Sequence, residues 1–193
     1  MSICSGNPAN PPEIGKRILE NESCESRNKL KIIGINCPKL FSITDEEIIE
    51  EYIDGGNLYS FFTLEKSNDL ALQVGEITGK LHKKDLVFID NKCQNFLVTK
   101  ERKLIRIDLG FIQKSKSVFA QSMDIGSFLA SILDLEPPIY KILEKEFLIG
   151  YASMTNNNNK IPYLSIILRN ILALGFVYSY KNMIKNMLNK HYA

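Results

Sequence analysis

Cysteine and histidine are scarce and scattered in this sequence: Cys4, Cys24, Cys37 and Cys93 lie far apart, and there are two histidines. No C-x-x-C pair occurs, so neither a zinc site nor a disulfide framework is expected, and the chain reads as one from a reducing compartment. The N-terminus lacks the basic-then-apolar pattern of an export signal, and Pro8, Pro11 and Pro12 would interrupt an apolar helix there. An uninterrupted membrane-length apolar run is also missing. The nearest approach, Tyr163 to Tyr180, is broken by Ser165, Arg169, Asn170 and Gly175, which predicts a pair of buried helices bending at Gly175. Acidic residues stop at Glu146, whereas Lys160, Arg169, Lys181, Lys185 and Lys190 follow. The C-terminal quarter is therefore basic, as either a solvated helix face or a surface for RNA or an acidic partner.

What is present suffices for a core. Of 193 residues, 45% are hydrophobic and 24% charged, which fits one domain or a small and a larger lobe sharing a cleft. A cytoplasmic enzyme or binding module, with no membrane association, is expected. Residues 1–12 read as loop. Ile14 to Lys31 suggests a short strand and then an amphipathic helix that stops near Gly34. Two strands, Pro38–Asp45 and Ile48–Ile53, are joined by the turn Thr44-Asp-Glu-Glu47. The pair Gly55-Gly56 then allows a sharp turn, so a boundary between lobes is placed at Asp54–Asn57. Asp69 to Lys83 has the pattern of a buried helix, with His82 satisfied by backbone at its end. A hairpin of Phe96–Val98 and Leu104–Ile107 follows, turning through 100–103, and helices are expected over 123–133 and 139–151. Asn156–Asn159 is a short polar connection.

Chemistry concentrates around that hairpin. Asp90-Asn-Lys-Cys-Gln-Asn95 precedes it and Asp108-Leu-Gly110 follows it. Phosphoryl transfer needs oxygen ligands for magnesium and a carboxylate that orients the attacking hydroxyl. A hairpin returning the chain to its starting edge brings Asn95 and Asp108 together, and Gly110 is read as the residue that permits the turn aiming Asp108 into the cleft. Cys93 carries no expected role.

This spacing is that of the protein-kinase catalytic loop and metal-binding element. Leu81-His-Lys-Lys-Asp-Leu-Val-Phe-Ile-Asp90 is similar to the L-H-x-x-x-[IL]-[IV]-H-G-D segment of small atypical kinases, and Glu51-Tyr-Ile-Asp-Gly-Gly-Asn-Leu58 looks like a kinase hinge. Gly34-Ile-Asn-Cys-Pro38, Asp124-Ile-Gly-Ser-Phe-Leu-Ala130 and Glu146-Phe-Leu-Ile-Gly-Tyr151 add matches in the same order. Together, from about Glu25 to Ser153, the chain resembles the small atypical Ser/Thr kinase and ATPase of the KEOPS tRNA-modification complex, a relative of the RIO kinases.

The resemblance implies an α+β, two-lobed protein-kinase-like fold: a much reduced N-terminal β-lobe (1–53), a hinge (54–57) and a mainly helical C-lobe (58–193). It implies Asp90 as the base or hydroxyl-orienting group, Asn95 and Asp108 as Mg2+ ligands, and the backbone of Glu51 and Ile53 as adenine contacts. Lys16 and Glu25 would be the phosphate-binding lysine and its helix glutamate. ATP, a protein substrate or KEOPS-like partner subunit, and tRNA through the basic C-terminal segment are the implied partners. The chain departs from the pattern at Phe88, Ile89, Leu109 and Glu50, and no glycine-rich loop precedes Lys16. Slow transfer or ATP hydrolysis is therefore expected. A catalytically silent pseudokinase and a small-molecule kinase of the aminoglycoside or lipopolysaccharide type are the competing readings.

Overall fold

The computed structural model describes residues 11–64, 67–155 and 164–175. Helices α1 (Pro11–Glu22) and α2 (Cys24–Ile32) open the fold. The strand expected after Ile14 is absent, because helix α1 runs straight to the break at Ser23. That hydroxyl donates to the Glu20 carbonyl (2.6 Å) and accepts from the Ser26 N–H (3.3 Å), closing one helix and capping the next. α2 stops where expected. Gly34 takes φ +81°, its N–H bonds to the Lys31 carbonyl and that of Ile35 to the Leu30 carbonyl, the hydrogen-bond pattern of a Schellman end.

β1 (Leu40–Ile43) and β2 (Ile48–Glu50) form the expected antiparallel hairpin, with Ile43 opposite Ile48. It stands apart from the core: all of β2 is exposed, as is Phe41. β3 (Gly55–Asn57) edges a three-stranded antiparallel sheet in the order β3-β5-β6, where β5 is Phe96–Thr99 and β6 is Leu104–Arg106. The glycine pair is thus extended strand and not a sharp turn. Its smallness serves close approach, since a Cβ on Gly55 would lie 2.0 Å from the Val98 carbonyl oxygen. Between β3 and β5 come α3 (Leu58–Leu64), α4 (Asn68–His82), β4 (Leu86–Val87) and a single 3-10 turn, Cys93–Asn95. β7 (Gln113–Lys114) pairs with β4.

Helices α5 (Val118–Ala130) and α6 (Pro137–Met154) complete the larger layer. α5 begins five residues before the expected start, because Ser117 caps it by accepting from the Ala120 N–H. The core is built on the close crossing of α4 and α6, where a Cβ on Gly75 would meet the Phe147 carbonyl oxygen at 2.0 Å and one on Gly150 the Leu72 oxygen at 2.0 Å. Phe128 of α5 stacks on Phe147 at 4.6 Å and meets Phe62 of α3 edge-on at 6.5 Å. Residues 164–175 are helical and cross α5 at Gly126. Burial there is one-sided, against expectation: Ser165 and Leu168 are covered, while Ile166, Ile167, Ile171 and Leu174 are exposed. The rest of the expected apolar pair, the bend beyond Gly175, the asparagine loop and Lys160, Lys181, Lys185 and Lys190 lie outside the described residues. Among the described residues no helix is long and apolar enough to cross a membrane.

Candidate active site

The loop between β4 and β5 is held from below by one carboxylate. Asp124 of α5 is wholly buried and accepts from the N–H groups of Phe88 and Ile89, each at 2.7 Å. His82 Nε2 lies 3.0 Å from the same carboxylate, and its Nδ1 lies 3.0 Å from the Tyr151 hydroxyl. The Asp124 carboxylate only accepts, so Nε2 donates to it, while Nδ1 shares the second bond with the Tyr151 hydroxyl, whose pKa burial pushes up to about 12. The backbone-satisfied reading of His82 is corrected by this side-chain chain of bonds, which ties α4, α5 and α6 to the loop. Asn91 adds a further tie, donating to Thr78 Oγ1 and to the Asp124 carbonyl. Held this way, Ile89 adopts φ +67°, an uncommon conformation for a β-branched residue.

Asp90 comes next and lies on the cleft. Its carboxylate is 2.8 Å from Lys92 Nζ, and Asn95 Nδ2 donates both to the Asp90 carbonyl (2.8 Å) and to its carboxylate (3.3 Å). The hairpin then performs the expected return. Phe96 pairs with Arg106, the Ile107 N–H bonds to the Asn95 carbonyl at 3.0 Å, and Asp108 follows at once. The positive φ of the turn, +56°, belongs to Asp108 itself, which corrects the role given to Gly110. Gly110 instead leaves room for α1: a Cβ there would lie 3.0 Å from Ile18 Cγ2.

Asp90, Lys92, Asn95 and Asp108 line one wall of a cleft of about 980 Å³, and Ser131, Leu133 and Asp134 line another part of it. Among the described residues no cluster of three or more His, Cys, Asp or Glu side chains is arranged to hold a metal. A carboxylate and an amide oxygen beside an open cleft instead suit Mg2+, which keeps waters and completes its octahedron with phosphate oxygens.

The glutamate that reaches this site is Glu22, at the end of α1. Its Oε1 accepts from the Leu109 N–H at 2.7 Å, directly after Asp108, and its Oε2 pairs with Arg27 at 2.7 Å. Arg27 also pairs with Glu50 at 2.7 Å, which explains the charge at position 50. Burial pushes the Glu22 carboxyl above its usual range, against the opposing pull of the Leu109 N–H and Arg27. The expected Lys16–Glu25 pair does not form. Lys16 is exposed beside Glu20 (3.9 Å) and Glu25 is exposed beside Lys29 (2.6 Å), because the helical spacing of each favours its own i,i+4 neighbour. Glu51 lies in the segment after β2, where its N–H bonds to the Lys39 carbonyl and its carboxylate accepts from the Lys39 N–H. It lines a separate cavity of about 500 Å³ with Arg27, Lys31, Lys39 and Lys103. Ile53 is half-buried, and neither it nor Glu51 is among the described residues that line the Asp90 cleft.

Glu22, Arg27 and Lys92 escaped the sequence reading. Lys92 was within reach, two residues after Asp90; nothing local marks Glu22, whose partner lies 87 residues away.

No family model matches the chain. Among curated proteins it is similar to archaeal ones each named "Probable bifunctional tRNA threonylcarbamoyladenosine biosynthesis protein". The Methanospirillum hungatei protein is 31% identical over 143 residues, covering 72% of this chain and 26% of the relative. The Methanosarcina mazei protein is 30% identical over 144 residues (73% and 25%), and the Methanocaldococcus jannaschii protein 29% identical over 127 (65% and 23%). The chain spans about a quarter of the length of these relatives.

Proposed function

We propose that this chain is a Mg-ATP-dependent phosphotransferase or ATPase of the atypical protein-kinase class, directed at Ser/Thr or hydrolysing ATP within a KEOPS-like tRNA-modification assembly in the cytoplasm. The observation that carries the reading is the convergence of Asp90, Asn95 and Asp108 on one cleft, from positions up to 18 residues apart in sequence. The names of the archaeal relatives support the tRNA-modification setting.

In this reading Asn95 and Asp108 hold the metal, which when bound neutralises charge on the phosphate oxygens. Asn95 is pre-aimed, since its amide N–H2 is spent on Asp90 and its oxygen is turned away from that bond. Asp90 accepts a hydrogen bond from the attacking hydroxyl or water and orients it. The ammonium of Lys92 lies 2.8 Å from the Asp90 carboxylate and offers a cation to the phosphoryl group in flight. Glu22 fixes the backbone behind Asp108 through the Leu109 N–H, so the metal ligand is positioned before nucleotide arrives.

A thermal-shift series tests this. A ligand at about 100 times its Kd stabilises the folded state by about 2.7 kcal/mol. Wild type should shift with ATP and Mg2+ together and not with ATP alone. Asp90→Ala should keep the shift and lose phosphate release, whereas Asp108→Ala should lose both. A wild type without a metal-dependent shift would leave the pseudokinase reading in its place.

A further inference from the structure

Arg106 ends β6 and is 1% exposed, an unusual place for a guanidinium. Its guanidinium carbon lies 4.4 Å from the centre of the Phe88 ring and 5.0 Å from that of Phe96, and the two rings meet edge-on at 6.4 Å. Nη2 donates to the Asp90 carbonyl at 2.9 Å and reaches the Asp108 carbonyl at 3.4 Å, while Nη1 reaches the Asn95 carbonyl at 3.5 Å. A single planar cation thus touches the main chain of all three residues assigned to metal and acceptor. Burial lowers its pKa to about 10, against the pull of Asp108, Asp124 and Asp90, so it stays charged at neutral pH.

Packing does not account for this residue. An unbranched apolar side chain would also fill the gap between two rings, and it would avoid the cost of burying Nε, which has no partner. What arginine adds is a rigid fork of donors that meets several carbonyls at fixed angles.

We infer that Arg106 is a positioning residue: it locks the carbonyls of Asp90, Asn95 and Asp108 to one another and thereby sets the spacing of the groups that hold metal-nucleotide. The inference rests on the Mg-ATP reading and deepens it. Arg106 touches no reacting atom and acts through the backbone of the residues that do.

The test compares wild type, Arg106→Met and Arg106→Lys by backbone hydrogen exchange without ligand, by melting temperature, and by Mg·ATP affinity. Met fills the space between the rings and donates nothing; Lys restores a single cation. In Arg106→Met, exchange should rise in 88–96 and 107–110 while α4 and α6 stay protected, and Mg·ATP affinity should fall at least tenfold. Arg106→Lys should lie between the two, which a role in packing alone would not produce. Unchanged local exchange overturns the inference, and so does unchanged affinity in a variant of a wild type that binds. If wild type binds no Mg·ATP, the nucleotide reading fails, and the exchange pattern alone decides on Arg106. If Arg106→Met does not fold, Arg106→Lys carries the comparison through the same two readouts.

Discussion

Ile89 sets two magnitudes against each other. A non-glycine residue in the left-handed region costs about 1–2 kcal/mol, and truncating a buried isoleucine costs about 2–5 kcal/mol. Ile89 is 6% exposed and packs with Val87 and Ala120, so burial outweighs strain and isoleucine is tolerated. Ile89→Ala loses the packing and keeps the strain, whereas Ile89→Gly loses slightly more packing and relieves the strain. Urea unfolding should therefore find Ile89→Gly at least as stable as Ile89→Ala, reversing the usual penalty of about 0.5–1 kcal/mol for glycine. A glycine variant clearly below the alanine variant would show that the backbone relaxes once the branched side chain is gone. Glu22 gives a pH signature at the same scale. Because burial raises its pKa in the folded state above 4.5, folding holds this proton more tightly than the unfolded chain does. That stability is present below the unfolded pKa and is lost as pH rises through the folded value. Gln does not titrate, so the melting temperature of wild type minus that of Glu22→Gln should fall as pH rises above 4.5 and level off once the folded carboxyl is ionised. A difference independent of pH would mean that Glu22 does not change protonation in this range.

Helix crossings decide the next scale. At Gly75 an added Cβ would meet backbone atoms of Phe147 and Tyr151 at 2.0 and 2.8 Å, and backbone cannot swing aside. Gly75→Ala should destabilise by about 3 kcal/mol by forcing α4 and α6 apart. Gly15 in α1 has nothing within 4 Å of its Cβ position, so Gly15→Ala should stabilise by about 0.5–1 kcal/mol through helix propensity. Denaturant midpoints for the two variants should thus move in opposite directions, and a shared direction would contradict the crossing as described. These elements also show what was legible beforehand. The β5–β6 hairpin announced itself through short apolar runs about a polar turn, and α2 through its stop at Gly34. α1 did not, because Ile14, Ile18 and Leu19 fit a strand or a helix start over so few residues, and the deciding event is the Ser23 cap. Gly55 and Gly110 were recognised as special, but for a turn; both serve close approach by a neighbour that sequence does not reveal. The cleft was legible where it is local: Asp90, Asn95 and Asp108 are joined by one hairpin. Glu22 and the His82–Asp124 bond were not, since each depends on packing between distant segments.

At the scale of the whole molecule, an exposed two-stranded hairpin sits beside a well-packed helical layer, and the cleft lies where the β5–β6 hairpin meets the end of α5. The chain spans about a quarter of the length of the archaeal relatives it matches. What the chain can be asked for alone is metal-nucleotide binding. The most direct measurement places the metal: Mn2+ with ATP is added to isotope-labelled protein, and paramagnetic broadening of backbone amides is mapped. The account predicts ATP-dependent broadening centred on 90–95 and 108–110, reversed by excess Mg2+, lost in Asp108→Ala, and sparing Lys16 and Glu25. Broadening that needs no ATP, centres on the cavity beside Glu51, or never appears would contradict it.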